Sequence, residues 1–251
     1  MERSPFIATG GDWSRYNPTN KKVPIIISEW GFPTCFPIGT PACPATYPGA
    51  PYVVDELTQA KFLTRMALAS AMVKIPFALW YDWRDDPGGR PGVPPWRPTS
   101  QNFGVLKPDT DVITHNVSWV PRLAYIAAVT MQSAVRDQPF VRRVEATLKP
   151  EASHTTAQLA QNHAYVAQPR DVFILSFGNA SNLRYAAWTN TTGRSIDVEF
   201  PVSAAMACYA VTSFLGVQHT QNRCADASRS LSVSLSDEPL FILPAVDAVR
   251  L

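Results

Sequence analysis

The sequence is short of charge, of histidine and of any long apolar run. Charged residues make up 17% of the 251 positions, below the roughly 25% of an average soluble chain, while 46% are hydrophobic. That balance excludes extended disorder, which needs high charge and few aromatics. No uninterrupted apolar run approaches the ~20 residues that cross a bilayer, so neither a transmembrane helix nor a membrane partner is expected. The first twenty residues, MERSPFIATGGDWSRYNPTN, hold no apolar h-region, so no signal peptide is expected there. Twenty-two basic against twenty acidic residues give a net charge of +2 with no basic run, which argues against a nucleic-acid partner. The four histidines, His115, His154, His163 and His219, lack metal-ligand spacing. No G-x-S-x-G elbow, Walker A loop or G-x-G-x-x-G turn is present, so serine hydrolysis and phosphate cradling have no support, and no cofactor or metal is expected.

Proline, by contrast, is abundant: 23 residues, clustered in the stretches Pro33–Pro51 and Pro87–Pro98. Such clusters mark long loops, which in a compact domain are usually functional. The four cysteines, Cys35, Cys43, Cys208 and Cys224, have no zinc spacing; they suit either two local disulfides or four structural thiols. Sequons at Asn116, Asn179 and Asn190 lend the disulfides some support, although such tripeptides also arise by chance.

Two halves differ in rhythm. Residues 23–28, VPIIIS, read as a continuous apolar strand, the pattern of a parallel strand covered on both faces. From Asp55 to about Lys74 the spacing is helical, with Leu57, Phe62, Leu63, Met66 and Leu68 toward one side, acids at the start and Pro76 ending it. FALWYD, residues 77–82, reads as a second strand, and a second helix is expected from about Pro121 at its first position. This is an α/β rhythm. After Phe140, FVRRVEATL, DVFILSF, LRYAAWT, SIDVEF, CYAVTSF, LSVSL and PLFIL follow at close spacing, with turn residues between them and no convincing helix. That pattern predicts an all-β sandwich.

Chemistry concentrates at two predicted strand ends. Glu29, in PIIISEWGFPT, is the only acid near the end of an apolar strand, and in parallel α/β folds the carboxyl ends of strands face the active-site crevice. A strand-terminal Glu capping a neighbouring loop is the plainer alternative. ALWYDWRDD, residues 78–86, offers Trp80, Tyr81 and Trp83 beside Asp82, Asp85, Asp86 and Arg84. Such aromatics suit stacking on sugars but also serve as core anchors, and the Asp–Arg–Asp run suits a salt-bridged loop.

PIIISEWGFPT followed by a helix, then ALWYDWRDD, NFGVL (102–106) and a Pro-started helix resemble the end of clan A (β/α)8 glycoside hydrolases, nearest to families five and thirty-nine. The resemblance covers roughly residues 20–135, and the segments after Phe140 resemble the sandwich that often follows such barrels. It implies an α/β plus all-β protein: residues 1–138 as the last strand–helix units of an incomplete TIM barrel, and 139–251 as a small antiparallel β-sandwich. It implies hydrolysis of O-glycosyl bonds in oligo- or polysaccharides by a retaining mechanism, with Glu29 as nucleophile. Trp80 matches the aromatic of the final strand, and the resemblance implies substrate-binding positions near the cleft for it and for Trp30, Tyr81, Asp82 and Trp83. The resemblance also implies a secreted or extracellular parent enzyme.

The sequence departs from the pattern in two ways. It contains no Asn-Glu dipeptide, the family's acid/base signature, and about thirty residues stand before Glu29 where six strand–helix units belong. Turnover by the chain alone is therefore not expected. A second chain supplying the missing strands is one way to complete the site. A different reading is a non-catalytic carbohydrate-binding or interaction module built on the sandwich, using exposed Trp188 or Tyr185. Alternation in RYAAWT puts Tyr185 and Ala187 on one face and Ala186 and Trp188 on the other, and favours a buried Trp188.

Overall fold

The computed structural model describes residues 26–34, 54–85, 102–110, 117–149, 168–179, 182–191, 193–202, 208–218 and 222–245. Within them the protein is mostly sheet, with two α-helices. Strand β1 (Ile27–Trp30) pairs in parallel with β2 (Ala78–Trp80), and α1 (Glu56–Met72) lies between them in sequence. A hairpin of β3 (Leu106–Thr110) and β4 (Val117–Pro121) then leads into α2 (Leu123–Val135).

The remaining strands are β5 (Phe140–Arg143), β6 (Thr147–Leu148), β7 (Val172–Asn179), β8 (Asn182–Thr189), β9 (Ile196–Pro201), β10 (Cys208–Ser213), β11 (Arg223–Cys224), β12 (Ser230–Leu235) and β13 (Leu240–Pro244). They form a six-stranded sheet, ordered β11-β10-β13-β8-β7-β5, and a three-stranded sheet, ordered β12-β9-β6. All seven segments expected after Phe140 contain strands.

The burial pattern of each strand follows from its neighbours. In the three-stranded sheet, β9 and β12 alternate, with Ile196, Val198, Phe200, Leu231, Val233 and Leu235 buried and Asp197, Ser232 and Ser234 exposed. One face is covered and the other is wet. In the six-stranded sheet, β7, β8 and β13 carry continuous buried runs, because both faces are covered. One face shares a core with the three-stranded sheet, through Ile174, Tyr185, Ala187, Val211 and Ile242. The other packs on α1 and α2 through Leu175, Phe177, Ala186, Trp188, Phe241 and Leu243. Tyr185 and Trp188 thus occupy opposite faces as the alternation requires, and both are buried, at 1% and 2% exposure. The exposed sugar-stacking aromatics of the binding-module reading are absent at these two positions. Trp188 instead stacks on Phe173, with ring centroids 5.0 Å apart.

Polar contacts tie the helices to this sheet assembly. Lys61 of α1 lies 3.2 Å from Asp237 and 3.3 Å from Glu238. Arg184 of β8 donates to the Ala134 carbonyl in the last turn of α2 at 2.9 Å, satisfying an end carbonyl of that helix. Burial lowers the pKa of Arg65, with Asp237 opposing the shift.

Four sequence expectations need correction. The buried side of α1 carries Gln59, Ala60, Leu63, Thr64, Leu68 and Ser70, while Met66 is exposed. The helix ends close to the expected Lys74, but a backbone cap and not Pro76 stops it. It closes at Met72 in a Schellman arrangement, with Lys74 N–H donating to Ala71 O and Ile75 N–H to Ser70 O, and Lys74 at φ 57° where glycine is usual. Its start is as expected: Asp55 caps it by accepting from Thr58 N–H at 2.6 Å. Pro121 does not open α2; it ends β4, and Arg122 stands at the N-cap. Finally, β1 and β2 are not covered on both faces: Ile26, Phe77 and Leu79 are about half exposed, at 54%, 50% and 48%. Among the described residues their sheet has only two strands.

Cys208 and Cys224 are disulfide-bonded and stand directly opposite each other on β10 and β11. Cys35 and Cys43, the other pair of the two-disulfide alternative, lie outside the described residues, as do Asp86 and all four histidines.

Candidate functional site at two parallel strand ends

Because β1 and β2 run parallel, their carboxyl ends point the same way and bring both candidate motifs together. Trp30 and Trp80 are register partners, and Tyr81 N–H extends the ladder to Trp30 O at 2.7 Å. The two indoles meet edge to face, with centroids 4.7 Å apart, a favoured geometry for aromatic pairs.

The glycine of Glu-Trp-Gly is required at this junction. A Cβ on Gly31 would stand 2.0 Å from the Tyr81 carbonyl oxygen, so only glycine lets the two strand ends pass this closely. Glu29 is exposed on β1, and among the described residues no side chain hydrogen-bonds or ion-pairs with it. Its carboxylate is therefore open to solvent and to an incoming group. The neighbouring loops that it would cap in the plainer alternative, residues 35–53 and 86–101, lie outside the described residues.

Beyond β2, residues 82–85 are fixed by the NFGVL segment. Asp82 N–H donates to Phe103 O, Val105 N–H to Asp82 O, Leu106 N–H to Trp83 O and Asp85 N–H to Leu106 O, at 2.9–3.3 Å. Gly104 is the second close approach, since a Cβ there would lie 2.1 Å from Asp85 N. Tyr81 packs on Phe103 with centroids 5.4 Å apart, and the Tyr81–Asp82 peptide is cis. Trp80 Nε1 donates to Phe103 O at 3.3 Å. Trp83, 61% exposed, edges against Tyr125 of α2 with centroids 5.9 Å apart. The indole N–H of Trp30 is buried and finds no hydrogen-bond partner among the described residues.

A buried ionic network holds this assembly from behind. Arg122 reaches Asp85 Oδ2 at 2.6 Å and Glu56 Oε1 at 2.9 Å, while Asp85 Oδ1 accepts from Gly104 N–H at 2.9 Å. Lys107 joins at Glu56, 2.7 Å away. Both Asp85 and Arg122 are buried, so their charges depend on each other. The expected salt-bridged loop exists in part, with Arg122 rather than Arg84 as the partner of Asp85; Arg84 lies over the Trp119 ring, 5.1 Å from its centroid. Gln59, fully buried on α1, adds hydrogen bonds to Phe32 O and Phe103 O at 2.9 and 3.3 Å.

The structure thus gathers Trp30, Trp80, Tyr81, Asp82 and Trp83 around one pair of strand ends, with Glu29 beside Trp30 on β1. Sequence reasoning missed Gln59, Phe103, Arg122 and Tyr125, which position them. Only Phe103 carried a signal, as part of NFGVL. Among the described residues no group of three or more His, Cys, Asp or Glu is placed to hold a metal, and no helix is long and apolar enough to cross a membrane.

No protein-family model matches the chain, and no curated protein matches it. Solved structures do. A family 39 glycoside hydrolase from the gut symbiont Bacteroides cellulosilyticus WH2 aligns over 75% of this chain at 21% identity and a TM-score of 0.50, which shows a likeness of fold. A family 30 endoxylanase from Clostridium papyrosolvens C71 aligns over 92% of the chain at 10% identity and a TM-score of 0.44. The chain spans 30% and 44% of those two proteins.

Proposed function

We propose that this chain is the nucleophile-bearing part of a retaining glycoside hydrolase acting on O-glycosyl bonds of oligo- or polysaccharides. Residues 1–138 are read as the final strand–helix units of a (β/α)8 barrel and 139–251 as its β-sandwich. The observation that carries the reading is an exposed Glu29, without a partner among the described residues, at the carboxyl end of a parallel strand beside a second strand end rich in aromatics. The likeness of fold to a family 39 glycoside hydrolase supports it.

In this reading the carboxylate of Glu29 attacks the anomeric carbon and forms a glycosyl-enzyme, which water then hydrolyses. Trp30, Trp80, Tyr81 and Trp83 supply ring surface for the sugar, and Asp82 supplies a hydrogen-bond acceptor. The retaining mechanism needs a second carboxyl about 5–5.5 Å away, acting first as acid and then as base. No second carboxyl is assigned to that role here, and the Asn-Glu signature is absent from the sequence. The chain alone is therefore inactive on ordinary glycosides; losing a general acid typically costs about 10²–10⁴-fold. Further strand–helix units, from a longer polypeptide or a second chain, would complete the site against the half-exposed Ile26, Phe77 and Leu79.

Donors with a leaving group that needs no proton separate the two carboxyl roles. With 2,4-dinitrophenyl glycosides at high concentration, slow covalent labelling of Glu29 in preference to the other acids is expected, without turnover of unactivated glycosides. If no sugar labels Glu29, the nucleophile assignment falls. Turnover of unactivated glycosides that Glu29→Gln abolishes would instead refute the missing acid/base.

A further inference from the structure

We propose that Asn190 is the acceptor of an N-linked oligosaccharide when the chain passes through a secretory pathway. Its sequon is Asn190-Thr191-Thr192, and an acceptor of this type must stand on an exposed segment. Asn190 meets that condition: it is exposed, at the turn that follows β8. The turn is held from both sides, by Asn190 N–H donating to Asp171 O at 2.9 Å and Thr191 N–H donating to Thr189 Oγ1 at 3.2 Å.

The side chain is also oriented. Arg65 Nη2 of α1 donates to Asn190 Oδ1 at 2.6 Å, which occupies the amide oxygen. The amide nitrogen Nδ2 has no partner among the described residues. Glycosylation forms a bond between Nδ2 and the anomeric carbon of a lipid-linked oligosaccharyl pyrophosphate. One Nδ2–H bond breaks, its proton passes to a base of the transferase, and the lipid pyrophosphate leaves. Oδ1 takes no part as an acceptor in the product linkage, so the Arg65 bond survives modification.

The neighbouring sequon differs. Asn179 is itself a paired strand residue, the register partner of Asn182 in the tight β7–β8 hairpin, whereas Asn190 stands beyond the end of β8. The amide oxygen of Asn179 accepts from Asn182 N–H at 3.2 Å, as that of Asn190 accepts from Arg65. The Cys208–Cys224 disulfide is an independent observation in the same direction, because such bonds persist in oxidising compartments, where glycan transfer also occurs.

The test is to express the full chain in a eukaryotic host behind a cleavable secretion signal. Peptide:N-glycosidase in heavy-oxygen water then converts each glycan-bearing Asn to a labelled Asp, read by peptide mass spectrometry in secreted and retained protein alike. The expected result is a label at residue 190, removed without loss of Asn190 by Thr192→Ala. Asn190→Gln should lose one oligosaccharide, whereas Asn179→Gln should keep it. An unlabelled Asn190 in both fractions, or a label at residue 190 that survives Thr192→Ala, overturns the proposal.

Discussion

The strand pair β1–β2 and the strands of the six-stranded sheet carry the same kind of sequence and meet different surroundings. PIII and FALW are continuous apolar runs, as are VFIL, YAAW and LFIL. In the six-stranded sheet that pattern has a visible cause: helices cover one face of β7, β8 and β13, and a second sheet covers the other. At β1 and β2 the same pattern leaves Ile26, Phe77 and Leu79 about half exposed. A parallel pair with apolar faces is ordinarily buried inside a larger sheet. The contrast teaches that an apolar run specifies cover, and that at β1 and β2 the described structure supplies only part of it.

The comparison can be broken by mutation. Phe241→Ala should cost about 3–5 kcal/mol, because the ring is fully buried between the six-stranded sheet and the helices. Leu79→Ala should cost well under ~2 kcal/mol, since half of that side chain already meets water. Chemical denaturation of both variants checks the pair; equal losses would mean that β2 is as well packed as the sheet.

Asp85→Ala should cost up to about 3–5 kcal/mol by taking from buried Arg122 the more buried of its two carboxylate partners, leaving Glu56, and from Gly104 N–H its acceptor, and it should loosen the segment that carries Trp83. Denaturation followed by tryptophan fluorescence reads both effects. Reducing Cys208–Cys224, a link across sixteen residues, should cost about 3 kcal/mol and free β11 from the sheet edge; thermal melts with and without a thiol reductant measure it. Lys74→Gly should give the smallest change, a gain of up to ~1 kcal/mol, because glycine adopts the left-handed backbone at the end of α1 without the Cβ penalty.

What the sequence made legible follows physical range. The alternation of SIDVEF and LSVSL reports one covered face and one wet face, and it survives in β9 and β12 residue by residue. The split of Tyr185 and Trp188 onto opposite faces was readable for the same reason. The hairpin β3–β4 was not, because LKPDT is polar and holds a proline, and its strands exist by pairing with each other. Nor was the two-residue β11, which a disulfide and its neighbour define. The end of α1 was legible to within two residues, but its cause was not, because Lys74 occupies a position usually marked by glycine, leaving Pro76 as the only visible stop signal.

At the candidate site, Glu-Trp-Gly and Ala-Leu-Trp-Tyr-Asp-Trp were legible because strand ends concentrate unusual residues. Their support was not. Arg122 meets Asp85 across 37 positions of sequence, and Gln59 reaches Phe103 across 44. A polar residue on a helix gives no sign from local spacing that it will be buried against a distant loop.

Site-resolved labelling with activated aryl glycosides tests the central claim most directly. The account predicts that Glu29 is glycosylated in preference to the other acids, that Glu29→Gln removes the adduct, and that unactivated glycosides are not turned over. Absence of any adduct on Glu29 across the donor sugars would contradict its assignment as the nucleophile.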